Sequence, residues 1–376
     1  MNFVAKVKKG QEGKNKGLST GLKPLDRAMD GIQKRSIYCV AAAPKVGKTT
    51  LVDFCFMLEP YLYYLEYKRL NPDSPLRINW IYFSFEIDRV KKELKFAAYF
   101  MFKDYGIANF WHNGTLYAMS ARYLEGRLTD MDDNVILLQP DHFEKLKEIY
   151  EKRIIPIFGR YDENGNKLTN GVIDFIEERD NPTGLRNYLF SYAKENGEFI
   201  EVKYKTTDDH GSPVVKTRIT GYKEKDPNLV TIIITDHMRK LKRERGYVMK
   251  ENIDKWVEYQ VEFRNWCSFT FVDVIHINRN ISNIERIKFL SEFLYPTGED
   301  VKDTGNLSEE ADYIITLFNP QDEKYKITKH FKLELEGYPY YRSIHLVESR
   351  DTNCPEHMQV NMFGAYNVFS PIINLE

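Results

Sequence analysis

Six apolar runs of strand length constrain this chain more than any other feature. They are Ser36–Ala43 (SIYCVAAA), Ile78–Phe85 (INWIYFSF), Leu229–Thr235 (LVTIIIT), Phe269–Ile277 (FTFVDVIHI), Ala311–Phe318 (ADYIITLF) and Ser343–Glu348 (SIHLVE). Near-continuous Ile, Val and Phe content marks strands covered on both faces, the habit of parallel sheets in α/β domains. Helical patterns over Lys48–Leu58, Asp88–Tyr105 and Lys250–Trp266 supply the covering layers. With 42 % apolar and 14 % aromatic residues in 376, there is enough to fill a sizeable core, and general disorder is excluded.

Residues 1–16 hold five lysines and one glutamate and read as a flexible basic lead. Order is expected from Gly17, where Leu22, Leu25 and Met29 fall at helical spacing and Gly31 makes a plausible stop. From there the domain runs over residues 17–376. The stretch Ile87–Asn228 is far longer than one crossover needs and reads as an insertion, with a hairpin at about 197–227 around an HGSP turn. Lys+Arg 54 against Asp+Glu 55 gives a formal charge of −1, so any attraction to phosphate must come from local clusters. Cys39, Cys55, Cys267 and Cys354 lie far apart with no CxxC pair, which speaks against a disulfide framework or a structural zinc. No run approaches the roughly 18 apolar residues of a membrane span. The expectation is a soluble protein with no membrane partner, placed in the cytoplasm.

The phosphate-loop pattern occupies Ala43, Pro44, Lys45, Val46, Gly47, Lys48, Thr49 and Thr50, after a buried strand and at the start of a helix. Gly47 lets the backbone approach a phosphate, and N–H groups at the helix start cradle it. Lys48 is expected to reach β- and γ-phosphates, and the Thr49 hydroxyl to hold Mg²⁺. Asp236 closes the third apolar run, the usual place for a second Mg²⁺-orienting acid. Glu86 closes the second and is a candidate general base for an attacking water. An ordinary helix-capping acid is the alternative for each carboxylate.

With these residues in place, GLSTGLKPLDRAMDGIQKRSIYCVAAAPKVGKTT resembles the entry to the ATPase domain of DnaB-type replicative helicases, a RecA-like family of P-loop NTPases. The resemblance implies a RecA-like core without the family's N-terminal domain. It implies ATP and Mg²⁺ as cofactors, a homo-oligomeric ring or spiral of hexamer type, single-stranded DNA as partner, and primase or other replication proteins as further contacts. Such a core would suit a phage or plasmid system. Alanine at the loop's first position is a family trait. FSFEID resembles the segment whose glutamate is the family's catalytic base, which carries that role to Glu86. IIITDHM resembles the metal-binding strand and supports Asp236. VIHINRN puts His276 where the family has a γ-phosphate-sensing glutamine. VKDTGNLSEEADYIITLF resembles the family's DNA-contacting loop, which assigns Lys302, Asp303, Thr304 and Gly305. HLVESRD resembles a segment whose lysine and arginine reach a neighbour's ATP; Arg350 keeps the arginine finger, and Glu348 replaces the lysine.

Arg239–Arg245 (RKLKRER) holds five basic residues and one acid directly after Asp236, so Lys240, Lys242 and Arg243 are candidate DNA contacts. The reading is an ATP-dependent DNA helicase or translocase. Its rivals are a DNA-stimulated RecA-like ATPase that does not unwind and a non-catalytic interaction protein of the same fold.

Overall fold

Five of the six apolar runs form neighbouring parallel strands, and the sixth joins them antiparallel. The computed structural model describes residues 3–11, 16–207, 211–301 and 306–372. Its central sheet contains β1 (Ile37–Ala42), β2 (Arg77–Ser84), β3 (Ile173–Ile176), β4 (Leu229–Asp236), β5 (Thr270–His276), β6 (Tyr313–Phe318), β7 (Tyr341–Ser349), β8 (Glu356–Phe363) and β9 (Val368–Pro371). Across the sheet the order is β9-β8-β7-β6-β1-β5-β4-β2-β3. The six strands from β6 to β3 are mutually parallel, and β7, β8 and β9 add on antiparallel. β1 and β6 are buried along their whole length. The architecture is thus α/β with a mainly parallel sheet, as expected.

Three expectations need correction. The run Ser343–Glu348 lies in β7, antiparallel to β6, because apolar content reports burial on both faces and carries no information on direction. The stretch Ile87–Asn228 is more than an insertion: its β3 pairs with β2 and closes the sheet on that side. β3 is four residues long and interrupted by Asp174, the signature of a short edge strand rather than a buried one. Within the basic lead, Phe3–Gln11 is helical where flexible chain is expected; alanine and lysine are good helix formers.

The turn before β1 shows how local chemistry sets the entry. The Asp26 carboxylate accepts from the Thr20 backbone N–H at 2.8 Å, the Thr20 hydroxyl at 2.7 Å and the Ser19 hydroxyl at 2.6 Å. Leu25 and Met29 of the short helix Lys23–Met29 are buried beneath it.

After β1 the chain is helical from Lys48 to Leu70, with one π-helical turn at Phe54–Leu58. Pro60 has no N–H to give to the Phe56 carbonyl, four residues back. The indole N–H of Trp80 in β2 donates to that carbonyl at 2.7 Å, so the break in the ladder is satisfied and the helix is tied to the sheet. Helix Arg89–Tyr105 starts at Asp88, whose side chain accepts from the Lys91 N–H, and ends at Gly106 in the left-handed conformation. Helix Met249–Cys267 lies on the sheet through Trp256, which donates to the Thr235 hydroxyl at 3.3 Å, and Gln260, which donates to buried Asp273 at 2.9 Å.

Candidate active site

Strand register decides what meets the phosphate loop. Ala42 at the end of β1 is paired with His276 at the end of β5, and Asp236 at the end of β4 with Ser84 at the end of β2. Four neighbouring parallel strands therefore deliver the loop, His276, Asp236 and, two residues past Ser84, Glu86 to one edge. Open α/β sheets bind ligands at that edge.

The loop leaves β1 through Lys45 and Gly47, both at positive φ (64° and 116°). Gly47 is required twice over. Its backbone angle excludes most side chains, and an added Cβ would lie 2.4 Å from the Met362 methyl carbon. Pro44 and Lys45 are exposed, and Val46 and Lys48 are buried. Lys48 donates to the carbonyls of Ala42 (3.2 Å) and Ala43 (3.0 Å), and its Nζ is 2.8 Å from His276 Nδ1. An ammonium has no lone pair, so Nδ1 accepts and the His276 proton sits on Nε2. Burial pushes the Lys48 pKa down to about 8, against the pull of Asp236 and Glu86. His276 is also lowered, by burial first and by Lys48 second.

The Thr49 hydroxyl donates to Asp236 Oδ1 at 3.1 Å. On its other oxygen Asp236 meets the Tyr82 hydroxyl at 3.1 Å, and that hydroxyl lies 3.2 Å from Asp53 Oδ1. Lys92 closes the network, donating to both Asp53 oxygens at 2.9 Å and to Tyr82 at 2.8 Å. Burial raises the Asp236 carboxyl, and the Lys92 charge works against that rise. A hydroxyl and a carboxylate oxygen side by side are hard donors suited to Mg²⁺, which takes one or two protein oxygens and completes its shell with phosphate oxygens and water. Among the described residues no group of three or more His, Cys, Asp or Glu side chains could hold a metal.

Glu86 stands at the same edge, half-exposed, with Lys240 Nζ 3.6 Å from its carboxylate. Its position is held by two backbone links: the Phe85 N–H donates to the Asp236 carbonyl at 2.8 Å, and Arg179 donates to the Phe85 carbonyl at 2.8 Å. Lys240 ends a 3₁₀ turn (Met238–Lys240), and Lys242 and Arg243 are in the loop beyond it. Lys302, Asp303, Thr304 and Gly305 lie outside the described residues. Arg350 is not brought to this edge. Ser349 of β7 pairs with Tyr313 of β6, which pairs with Tyr38 near the start of β1. At 3.3 Å per residue, Arg350 is at least about 13 Å from the loop end of the sheet. It donates to the Glu309 carbonyl at 2.9 Å and faces Asp312 at 3.5 Å.

Sequence reasoning missed several residues here. Asp53 and Lys92 sit in helices with no motif around them, and only their fully buried charges betray them. His237 follows Asp236; its Nδ1 accepts from the Arg239 N–H at 3.2 Å, its ring centroid is 4.2 Å from that of His276, and burial holds its pKa down to about 2. Its Nε2 has no hydrogen-bond partner among the described residues. Arg342 in β7 reaches the Val46 carbonyl of the loop at 3.4 Å. It stands just before the apolar run Ser343–Glu348, with no motif around it to signal its role.

No family model and no curated protein matches this sequence. Solved structures do. The fold is similar to those of solved helicase ATPase domains. A solved ATPase domain of a DnaB-like helicase superposes with a TM-score of 0.61 at 13 % identity, covering 99 % of this chain and 97 % of that one. A DnaB-like replicative helicase, solved in a study of its interactions with primase, superposes at 0.57 with 14 % identity, covering 100 % of this chain and 68 % of that one.

Proposed function

We propose that this chain is an ATP- and Mg²⁺-dependent motor of the DnaB-like replicative type, working along single-stranded DNA as a homo-oligomer with ATP between copies. One observation carries the reading: Lys48, Thr49, Asp236 and His276 meet through contacts of 2.8–3.1 Å at the edge where Glu86 stands. In this reading Lys48 leaves the Ala42 and Ala43 carbonyls for the β- and γ-phosphates. Thr49 and Asp236 hold the ion, which when bound polarises the phosphate oxygens. Glu86 takes the proton of a water whose oxygen attacks the γ-phosphorus as the bond to ADP breaks. His276, released by Lys48, can follow the γ-phosphate. Lys240, Lys242 and Arg243 face the DNA together with the loop Lys302–Gly305, and Arg350 serves a neighbouring copy. Primase or other replication proteins are the partners this reading expects.

The test is ATP hydrolysis and strand displacement on a forked duplex. Lys48→Ala and Glu86→Gln are each expected to abolish DNA-stimulated hydrolysis, while Glu86→Gln retains nucleotide binding. Full turnover by Glu86→Gln would overturn the assignment of the base. Robust hydrolysis by the unaltered protein without strand displacement would establish the non-unwinding ATPase instead.

A further inference from the structure

The hairpin Gly197–Thr207/Pro213–Glu224 takes no part in the site above. It leaves helix Pro182–Asn196 and returns just before β4, so it springs from the end of the sheet opposite the phosphate loop. Its root is fixed to the body. Phe199 stacks on Phe190 with ring centroids 4.5 Å apart and meets Trp266 edge-on at 6.1 Å, and the Tyr222 hydroxyl donates to the Ala193 carbonyl at 2.6 Å. A bulge follows between Ile200 and Glu201, a feature that bends a strand and increases its twist.

Beyond the bulge both faces are in solvent. Val202 and Tyr204 stand on one face beside Arg218 and Lys216; Lys203, Lys205 and Val215 stand on the other. Relative exposure is 43 % at Val202, 39 % at Tyr204 and 63 % at Val215. A lone two-stranded ribbon is marginal in water, so a projecting one with apolar residues on both faces calls for a partner. Charge says which. Lys203, Lys205, Lys216 and Arg218 make no ion pair among the described residues, and Arg218 instead lies over the Tyr204 ring, 5.5 Å from its centroid. Of the acids in this outer stretch, Glu201 lies at the bulge on the face of Lys203 and Lys205, and Asp208 and Asp209 fall outside the described residues. A chain of net charge −1 has thus gathered four cations, two per face, against the single acid Glu201 among the described residues of this projection.

We propose that this ribbon is a nucleic-acid contact separate from the motor site, and that it seats in the major groove of duplex DNA. A two-stranded ribbon matches a groove about 12 Å wide, and cations on both faces then meet the phosphates of both walls. The narrow major groove of duplex RNA does not admit it. The proposal does not depend on ATP hydrolysis, because binding is measured without nucleotide.

The experiment compares the full chain with the variant Lys203→Glu/Lys205→Glu/Lys216→Glu/Arg218→Glu, all exposed positions. Fluorescence anisotropy is read on a labelled DNA duplex and on the matching single strand across a salt series. The duplex Kd is expected to rise at least about tenfold. The slope of log K against log salt should drop by about 3–4, close to 0.9 per lost phosphate contact. Melting temperature, oligomeric mass and the shift of melting on adding ATP analogue are expected to stay unchanged. Unchanged duplex affinity and slope would overturn the proposal. So would a loss confined to single strands, or a fall in oligomeric mass, which would make the ribbon an arm between copies.

Discussion

At the scale of single residues, Lys48 carries the most specific consequence. It is buried, and its pKa is pushed down to about 8 while its ammonium is held by two carbonyls and His276. Phosphate favours the charged form, so a bound nucleotide raises the Lys48 pKa above its free value. The sign follows from linkage. Below about pH 7 both states are charged and affinity is flat. As pH rises through 8 the free lysine loses its proton, binding must take one up, and affinity falls by up to about tenfold per unit. Titration of a fluorescent ATP analogue from about pH 6.5 to 9.5 checks this. Lys48→Arg, charged throughout, is expected to lose the slope; an identical slope in that variant would assign the pH dependence to another group.

At the scale of elements, the short loop after β4 joins the proposed base to a cluster of cations proposed to meet DNA. Lys240 lies against Glu86 in a half-exposed ion pair, worth roughly 0–1 kcal/mol. A phosphate that draws Lys240 away would free the Glu86 carboxylate for water. Lys240→Ala is therefore expected to raise DNA-independent hydrolysis about two- to fivefold, the rate equivalent of that energy, and to shrink the stimulation by single-stranded DNA. A stimulation ratio equal to that of the unaltered protein would sink the coupling. What is legible in the sequence follows the same division. The buried runs announce β1, β2, β4, β5 and β6, since two-faced burial leaves a continuous apolar signal. The loop Ala43–Thr50 is legible because its chemistry needs residues adjacent in sequence. β3 is not, being only four residues long, broken by Asp174 and on the sheet edge; nor is the Asp53–Lys92 pair, whose members lie 39 residues apart and meet only after folding. Among residues of the site, Glu86 is suggested by its place at a strand end and by the FSFEID resemblance, and His276 by the VIHINRN resemblance, whereas His237 has no pattern to single it out.

At the scale of the whole molecule, the proposal that Arg350 is a finger requires more than one copy at each catalytic event. Lys48, Thr49, Asp236 and Glu86 occupy the loop end of the parallel strands, and Arg350 sits at the other end beside a groove of about 820 Å³ lined by Lys250, Asp254, Asn306 and Asp312. No arginine at that position can serve its own phosphate loop. Arg350 itself is half-exposed, and its ion pairs with Asp312 at 3.5 Å and Glu310 at 3.8 Å are cheap to exchange for a nucleotide's phosphates. If Arg350 is a finger, two defects on different chains must complement. Lys48→Ala supplies a copy that cannot bind the phosphates but keeps its arginine, and Arg350→Ala a copy that binds but lacks the arginine. Alone, the first is expected to be inactive and the second to lose on the order of 10³-fold in hydrolysis, the scale of a finger's contribution. Mixed in equal amounts, they form interfaces that pair an intact loop with an intact arginine, and hydrolysis is expected to recover to a quarter or so of the unaltered rate if neighbours assort at random. Activity of the mixture no higher than the sum of its parts, with mixed assembly verified by mass, would remove Arg350 from the catalytic cycle and return it to supporting Asp312, whose carboxylate accepts from the Ile37 N–H at the start of β1 at 2.8 Å.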